Sequence, residues 1–517
     1  MVPVSNEWKV AHDELLLPET FITVTYGVSD PGIENAATAT GNVSESFSET
    51  NEIVKSTGKN PERYATLELN EWGLDGTYSY FDETPVDAGY TTSVLSTPSA
   101  EYNSNTPTVT ITFPSVRVNP IPGVTITWGS SFDECATSFT VAAYNGTTEI
   151  AKETITDNTE IVSRVAMDLQ NYDRIVIQVF KWCLPYRRCR ITEVFLGFKE
   201  VYTKSDLLDY EHSESADLLS AALPKSAISF RLDNSTGRWN PNNPAGMERY
   251  LLERQKLDVR YGMTVDGMTE WINGGTFWLS EWNTPANGIE ASFSARDALD
   301  FMNEVYTGVR SGTLYDIATE AFEQANLPAS SNGSRYYVDE TLRGMTTDFS
   351  EEQTNYTIHD ILQTVAHAAC CVFYQDRDGI VRIEPHNDAQ TDYVINKFRA
   401  YAHPEIEISK PLKAVSVSYG DKQETTVVVG SSGEVQTVSN EFIQTAESAQ
   451  KVANRTADVL KGRKTISGEF RADPRLCALD VVTVESKYAD NKVAITDIKY
   501  TTSGGAFKGT YTGRIVG

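Results

Sequence analysis

The stretch Ile228-Ser229-Phe230-Arg231-Leu232-Asp233-Asn234-Ser235-Thr236-Gly237-Arg238-Trp239-Asn240-Pro241 decides how the chain is read. Ile228, Phe230 and Leu232 alternate with polar residues, the period of a strand with one buried face. Asp233 to Gly237 then supplies a turn: Asp and Asn bond the local backbone, and Gly accepts a positive φ. The same strand pattern continues outward in Leu257-Val259-Tyr261, Phe277-Trp278-Leu279 and Ile289-Ala291-Phe293.

Toward the N-terminus, residues 64–203 read as all-β. Val109, Ile111 and Phe113 alternate with threonines. Val124-Ile126-Trp128, Phe139-Val141 and Ile175-Ile177-Val179 repeat the pattern. Asn145-Gly146 between two runs is a hairpin-turn signal. Many short strands at regular spacing predict an antiparallel sandwich or jelly roll. Residues 1–63 hold one strand, Phe21 to Tyr26, then a Ser/Thr/Asn/Glu-rich stretch that reads as loop or as strands with little core of their own.

Toward the C-terminus helices appear. Leu314, Ile317, Ala318, Ala321, Phe322 and Ala325 share one helical face, with Thr313 as cap and Asp316 in the capping-box place. Ile358, Ile361, Leu362, Val365 and Ala369 line a second helix capped by Thr357. Asp378-Gly379 closes a hairpin after it. A third helix carries Ala449, Val452, Ala453, Thr456, Val459 and Leu460 and is expected to end at Gly462. Strands around Ala414–Tyr419, Ile466–Phe470, Val481–Val484, Val493–Ile495 and Tyr511–Ile515 complete the chain.

Composition narrows the function. At 517 residues the chain is too long for one core and divides into domains of roughly 100–200 residues. Its 71 acidic against 44 basic residues give a net charge of −27. That disfavours gripping nucleic acid, which needs Lys and Arg to displace phosphate counterions. Charge alone reads as an ordinary soluble acidic surface, though it is also compatible with a wall that phosphate slides past. The six cysteines are scattered and read as free thiols in a reducing cytoplasm. The start, Met1 to Lys9, lacks the basic and apolar regions of a signal peptide, and Leu15-Leu16-Leu17 is too short to span a membrane. A soluble protein without membrane binding is expected.

No reactive constellation emerges. HExxH, the G-x-S-x-G elbow and the P-loop are absent. The histidines His12, His212, His359, His367, His386 and His403 have no ligand spacing. Asp376-Arg377-Asp378-Gly379 opens like a calcium loop, but the twelfth position is Asn387 where Glu is needed, so it reads as a hairpin turn. No catalytic residue, metal ligand or cofactor is assigned. The most distinctive cluster runs from Trp182 to Arg188. Trp182, Tyr186 and Arg187 are candidates for stacking on a glycan, against a plainer reading with Trp182 in the core.

In its C-terminal part the chain resembles the hub proteins of long-tailed phages and related contractile injection machines. The residues that carry this are Ile228 to Pro241, Leu257-Asp258-Val259-Arg260-Tyr261-Gly262, and Phe293-Ser294-Ala295-Arg296-Asp297 leading into a helix. Val372 to Gly379, and Ala449 through Asp473-Pro474 to Val484, complete the order. Residues 64–203 are similar to a galactose-binding-like, or discoidin-like, jelly roll, on Pro122 to Trp128, Phe139 to Gly146, Tyr172 to Ile177 and Arg190 to Val194.

The resemblance implies a mainly β fold with an α+β part. Residues 1–63 would be the N-terminal part of the hub and 64–203 the sandwich. Residues 204–303 and 410–517 would each form a tube-like β-barrel, with 304–409 a helix-and-hairpin insert. It implies a homotrimer in the virion tail, assembled in the host cytoplasm, that closes the tail tube and adapts sixfold to threefold symmetry. Its partners would be the distal tail protein, the tape-measure protein and tail-fibre or tip proteins, with DNA only passing through. The rival readings are a carbohydrate-binding adhesin of the tail tip and a wall-degrading enzyme.

Overall fold

The computed structural model describes the chain apart from residues 15–17, 56–64, 67, 69–70, 72, 74, 77, 79–88, 104, 287, 329–332, 349–355, 421–422, 504–505 and 517. The fold is mainly β with an α+β part, as the pattern predicts. Its frame is one 13-stranded sheet. The order begins Gly197–Thr203, Thr20–Ser29, Lys256–Val265, Met268–Asn283, Glu290–Arg296, Lys225–Asp233, Leu207–Ser215. It continues through Asp490–Ser503, Ala506–Ile515 and Lys464–Arg471 to Glu405–Ile408. Val481–Glu485 and Val394–Ile395 branch from the second half.

Alternation builds the first half. Ile228, Phe230 and Leu232 are buried while their neighbours are not, and Phe230 lies opposite Phe293 in register. Val24 lies opposite Val259 and Tyr26 opposite Leu257. The half is rolled: Tyr202, from the terminal strand, packs 6.2 Å from Phe230 across it. Trp239, from the turn that follows Leu232, fills the roll against Tyr26 and Phe293, with ring centroids 6.1 and 5.3 Å away. Its N–H is held by Asn234 Oδ1 at 2.8 Å. Among the described residues no ladder joins Gly197–Thr203 to Leu207–Ser215, so side chains close this roll.

The second half is built around Ile466, Phe470, Val482, Ile495, Tyr500 and Tyr511. In place of two separate barrels, the halves share one ladder: Leu207–Ser215 pairs with Asp490–Ser503, His212 facing Tyr500. Each strand covers what would be the other's open edge.

The sandwich is an insertion between two paired strands. The chain leaves the sheet at Ser29 and returns at Gly197, its partner in register. The return is tight: Gly197 has φ +143, and a Cβ there would lie 2.1 Å from Val28 O. A five-stranded sheet (Thr38–Gly41, Thr108–Arg117, Tyr172–Trp182, Ala136–Asn145, Thr148–Ile155) packs on a three-stranded one (Glu193–Phe195, Ile121–Thr127, Val162–Leu169). Their core centres on Trp128, with Phe139 4.8 Å and Trp182 6.1 Å away. The border expected at residue 63/64 lies outside the described residues. Thr38–Gly41 pairs within the sandwich, and Gly197–Thr203 pairs with the large sheet.

The helices Leu314–Ala325 and Ile358–Ala368 form as read. Thr313 caps the first, and a Thr357–Asp360 capping box starts the second. Leu412–Tyr419 differs from expectation. It joins a separate three-stranded sheet with Gln423–Val428 and Glu434–Ser439, and Ala446–Leu460 packs on it. Val415 and Val417 bury against Val452 and the helices, not in the second half of the large sheet. The residue in left-handed conformation after Ala446–Leu460 is Arg463, at φ +55, not Gly462. Gly462 serves close approach instead: a Cβ there would lie 2.8 Å from Ile515 O. The helix expected after Asp297 is one short 3-10 turn, Ala298–Met302.

Candidate functional site: the sheet ends and the buried junction

The main path of the large sheet ends in two strands whose surroundings differ, while Val394–Ile395 ends its side branch. At Gly197–Thr203 the sandwich reaches over the outer edge. Thr125 Oγ1 donates to Gly197 O at 2.8 Å, and Arg164 Nη2 donates to Lys199 O. Arg164 also pairs with Glu200 at 3.3 Å and lies 5.8 Å over the Phe198 ring. Arg238 reaches the same Glu200 carboxylate at 2.6 Å. The carbonyls of Gly197 and Lys199, which an edge strand would offer to another chain, are already used.

At Glu405–Ile408 the sheet stops without such a cover. The strand pairs on one side with Lys464–Arg471, and among the described residues no strand pairs on the other. All four residues are exposed, Ile406 by 42% and Ile408 by 63%. Phe398 and Tyr401, just before it, are exposed by 71% and 57%. A strand edge with aromatic and aliphatic side chains in water is a template for pairing with another chain, and native monomers normally blunt such edges.

Between the two ends lies a buried polar junction. Arg377 projects from the hairpin tip Asp376–Gly379 into the seam between the halves. It donates to Pro474 O and Leu476 O, each at 2.9 Å, and its Nε lies 2.7 Å from Glu214 Oε1. His212, in the same strand as Glu214, approaches Tyr261 OH through Nδ1 at 2.7 Å and Glu214 through Nε2 at 3.2 Å. Tyr500 OH donates to Asp473 O at 2.8 Å. Asp473 in turn holds Arg475 through Nε at 2.9 Å. Burial by itself would raise the Glu214 carboxyl, but Arg377 and His212 outweigh it and hold it at about 2. Nearby, Asp297 is pushed up to about 7 by burial, against the pull of the Ser226 and Leu299 N–H groups. Such a buried, hydrogen-bonded pair fixes geometry more than it adds net stability. The junction thus pins the insert to both halves of the sheet.

Of the glycan candidates, the structure brings only one to the surface. Trp182 is fully buried, and its Nε1–H donates to Glu134 Oε2 at 2.7 Å. Arg187 is buried too, donating through Nε to Glu134 Oε1 at 2.7 Å and pairing with Glu71 at 2.8 Å. Arg190 and Glu68 extend this network. Tyr186 is exposed by 42%, at φ +58. Asp376-Arg377-Asp378-Gly379 is a hairpin turn in which Asp376 Oδ1 accepts the N–H groups of Asp378 and Ile380. Among the described residues, no group of three or more His, Cys, Asp or Glu could hold a metal ion, and no helix is long and apolar enough to cross a membrane. Leu15 to Leu17, considered above for that role, lie outside the described residues.

Solved phage tail proteins are similar to this chain. The 43 kDa tail protein of prophage MuSo2 from Shewanella oneidensis matches 61% of this chain and 95% of its own, at 14% identity and TM-score 0.45. A tail protein from Neisseria meningitidis matches 62% and 94%, at 11% identity and TM-score 0.44. The prophage tail protein gp18 from Listeria monocytogenes matches 61% and 91%, at 13% identity and TM-score 0.42. No family model matches the sequence, and no curated protein does.

The junction and the sheet ends were not legible as sites. Arg377 sat inside a turn motif, and a turn arginine normally points to water. Nothing in the spacing of Thr125 and Arg164 told that they meet Gly197 and Lys199. No strand was expected at residues 405–408, and the alternation of Ile406 and Ile408 with glutamates could signal a strand but not whether a neighbour covers it.

Proposed function

We propose that this chain is a structural hub of a bacteriophage tail tip, assembled as a homotrimer in the virion tail. The observation that carries the proposal is the open end of the large sheet at Glu405–Ile408, with Phe398, Tyr401, Ile406 and Ile408 in water. Another copy completes that edge, and three copies close a heterologous ring. Each half of the shared sheet would take the place of one barrel, so three chains would set six such units around the axis. This matches a sixfold tube above and a threefold tip below. The order of hub-like segments from Ile228 to Val484 supports the same reading.

In this role the chain works mechanically and not as an enzyme. It closes the tail tube and encloses the end of the tape-measure protein. It meets the distal tail protein on one side and fibre or tip proteins on the other. An acidic surface, from a net charge of −27, lets DNA pass without sticking when the ring opens for ejection. The buried junction keeps each subunit rigid while the ring moves. The test is localisation: an antibody raised against the protein should mark the tail end far from the capsid in particles made with this gene. Labelling of the capsid, or of no particle, contradicts the proposal.

A second reading, a carbohydrate-binding adhesin, is favoured only by exposed Tyr186 and Leu184 at one end of the sandwich. Binding of the full chain on a glycan array, lost in Tyr186→Ala, would support it.

A further inference from the structure

Cys135 and Cys183 lie opposite each other at the ends of two neighbouring strands of the five-stranded sheet. Cys135 directly precedes strand Ala136–Asn145, and Cys183 directly follows strand Tyr172–Trp182. Ala136 lies opposite Trp182 in register, so the next step along the ladder sets Cys135 opposite Cys183. The Cys183 N–H donates to Cys135 O at 3.0 Å. The Cys135 N–H donates to Cys183 Sγ at 3.3 Å, which folds that sulfur back toward its neighbour. The Cys135 thiol donates to Asn158 O at 3.9 Å, so it must turn toward Cys183 Sγ for a bond to form. Directly opposed residues of an antiparallel pair have Cβ atoms about 4.5–5.5 Å apart. A disulfide needs about 3.5–4.5 Å, a small adjustment at the end of a ladder. Cys189, the other cysteine of this region, is turned elsewhere: it is fully buried and its N–H goes to Thr92 Oγ1 at 2.9 Å.

We propose that Cys135 and Cys183 are a modification site that closes to a disulfide when the protein meets an oxidising small-molecule disulfide such as oxidised glutathione. Cys183 is the more accessible thiol; Cys135 is buried. The Cys183 thiolate attacks one sulfur of the reagent, forming a mixed disulfide and releasing one glutathione thiolate. The Cys135 thiolate then attacks Cys183 Sγ, forming the protein disulfide and releasing the second. The protein thiols give up two protons and two electrons, and the reagent takes both.

Burial raises both thiols, Cys135 to about 11, so few thiolates exist at neutral pH and the reaction is slow there. The pair stays reduced in a cytoplasm and closes under oxidising conditions outside a cell. The bond would staple the end of the sandwich that carries Glu134, Trp182 and Tyr186.

The experiment uses the full chain, kept overnight at pH 8 with oxidised glutathione, then denatured and alkylated. Intact mass should show two fewer alkyl groups than the reduced protein. A peptide map should show residues 135 and 183 joined, and the melting midpoint should rise by about 5–10 °C. Cys183→Ser should abolish the joined peptide while Cys189→Ser leaves it. Full alkylation after oxidation, glutathione left on Cys183, or a bond from Cys183 to Cys189 overturns the proposal. The peptide map of the unmodified sequence decides even where a variant fails to fold.

Discussion

At one end of the large sheet the carbonyls of Gly197 and Lys199 are taken by Thr125 and Arg164 of the sandwich. At the other end Glu405–Ile408 stands in water beside Phe398 and Tyr401. Both are terminal strands of the same sheet, so backbone chemistry does not separate them. What separates them is insertion: the sandwich leaves the sheet at Ser29 and returns at Gly197, which places its Arg164 over the edge it interrupts. The three-stranded sheet that follows Glu405–Ile408 gives it no such cover: among the described residues no strand pairs with its free side. A fold that seals one edge and leaves the other bare has a directional surface, the property a heterologous ring needs.

The contrast can be broken at several points. The largest effect is expected at the junction that holds the two ends apart. Arg377→Ala leaves the Glu214 carboxylate buried without its partner, and denaturant unfolding should show a loss of about 3–5 kcal/mol. Adding Glu214→Gln should recover part of it. Next comes the open end. Ile406→Lys with Ile408→Lys should abolish association in sedimentation, while the melting of the monomer stays within about 0.5 kcal/mol, because both side chains are already exposed.

The sealed end should answer in the opposite way. Arg164→Ala frees Lys199 O and loosens the sandwich from the sheet. A stability loss of about 1 kcal/mol is expected, with association unchanged, since the guanidinium is only half-buried. A separate effect concerns pH. Asp297 has a folded value of about 7, above its ordinary one, so its contribution is complete only below the ordinary carboxylate range and is lost progressively as pH rises from there through about 7. Glu214 has the opposite sign: its contribution is present above the ordinary carboxylate range and lost as pH falls toward about 2. The melting midpoint of the unmodified protein should therefore fall from pH 5 to pH 8 relative to Asp297→Asn.

Much of the fold was legible because its strands alternate. Ile228, Phe230 and Leu232 face inward as read, and Asn145-Gly146 and Asp378-Gly379 are the turns their residues demand. Strand period does not say which sheet a strand joins. That is why Leu412–Tyr419 was expected in the second half of the large sheet and lies instead against Ala446–Leu460. Local chemistry also misled at Gly462, whose lack of a side chain serves contact with Ile515 and not the helix end. The plainer reading put Trp182 in the core, where it lies, but Arg187, expected in water, is buried with it. Glu134 pairs with both, a contact across 48 and 53 residues that no short motif encodes.

The most direct test of the account is hydrogen exchange on the purified full chain at rising concentration, with mass measured in parallel. The account expects a species of three chains, and in it the amides of residues 405–408 become slow to exchange while those of residues 197–203 do not change. A chain that stays single at all concentrations, or a trimer in which residues 405–408 still exchange freely, would contradict it.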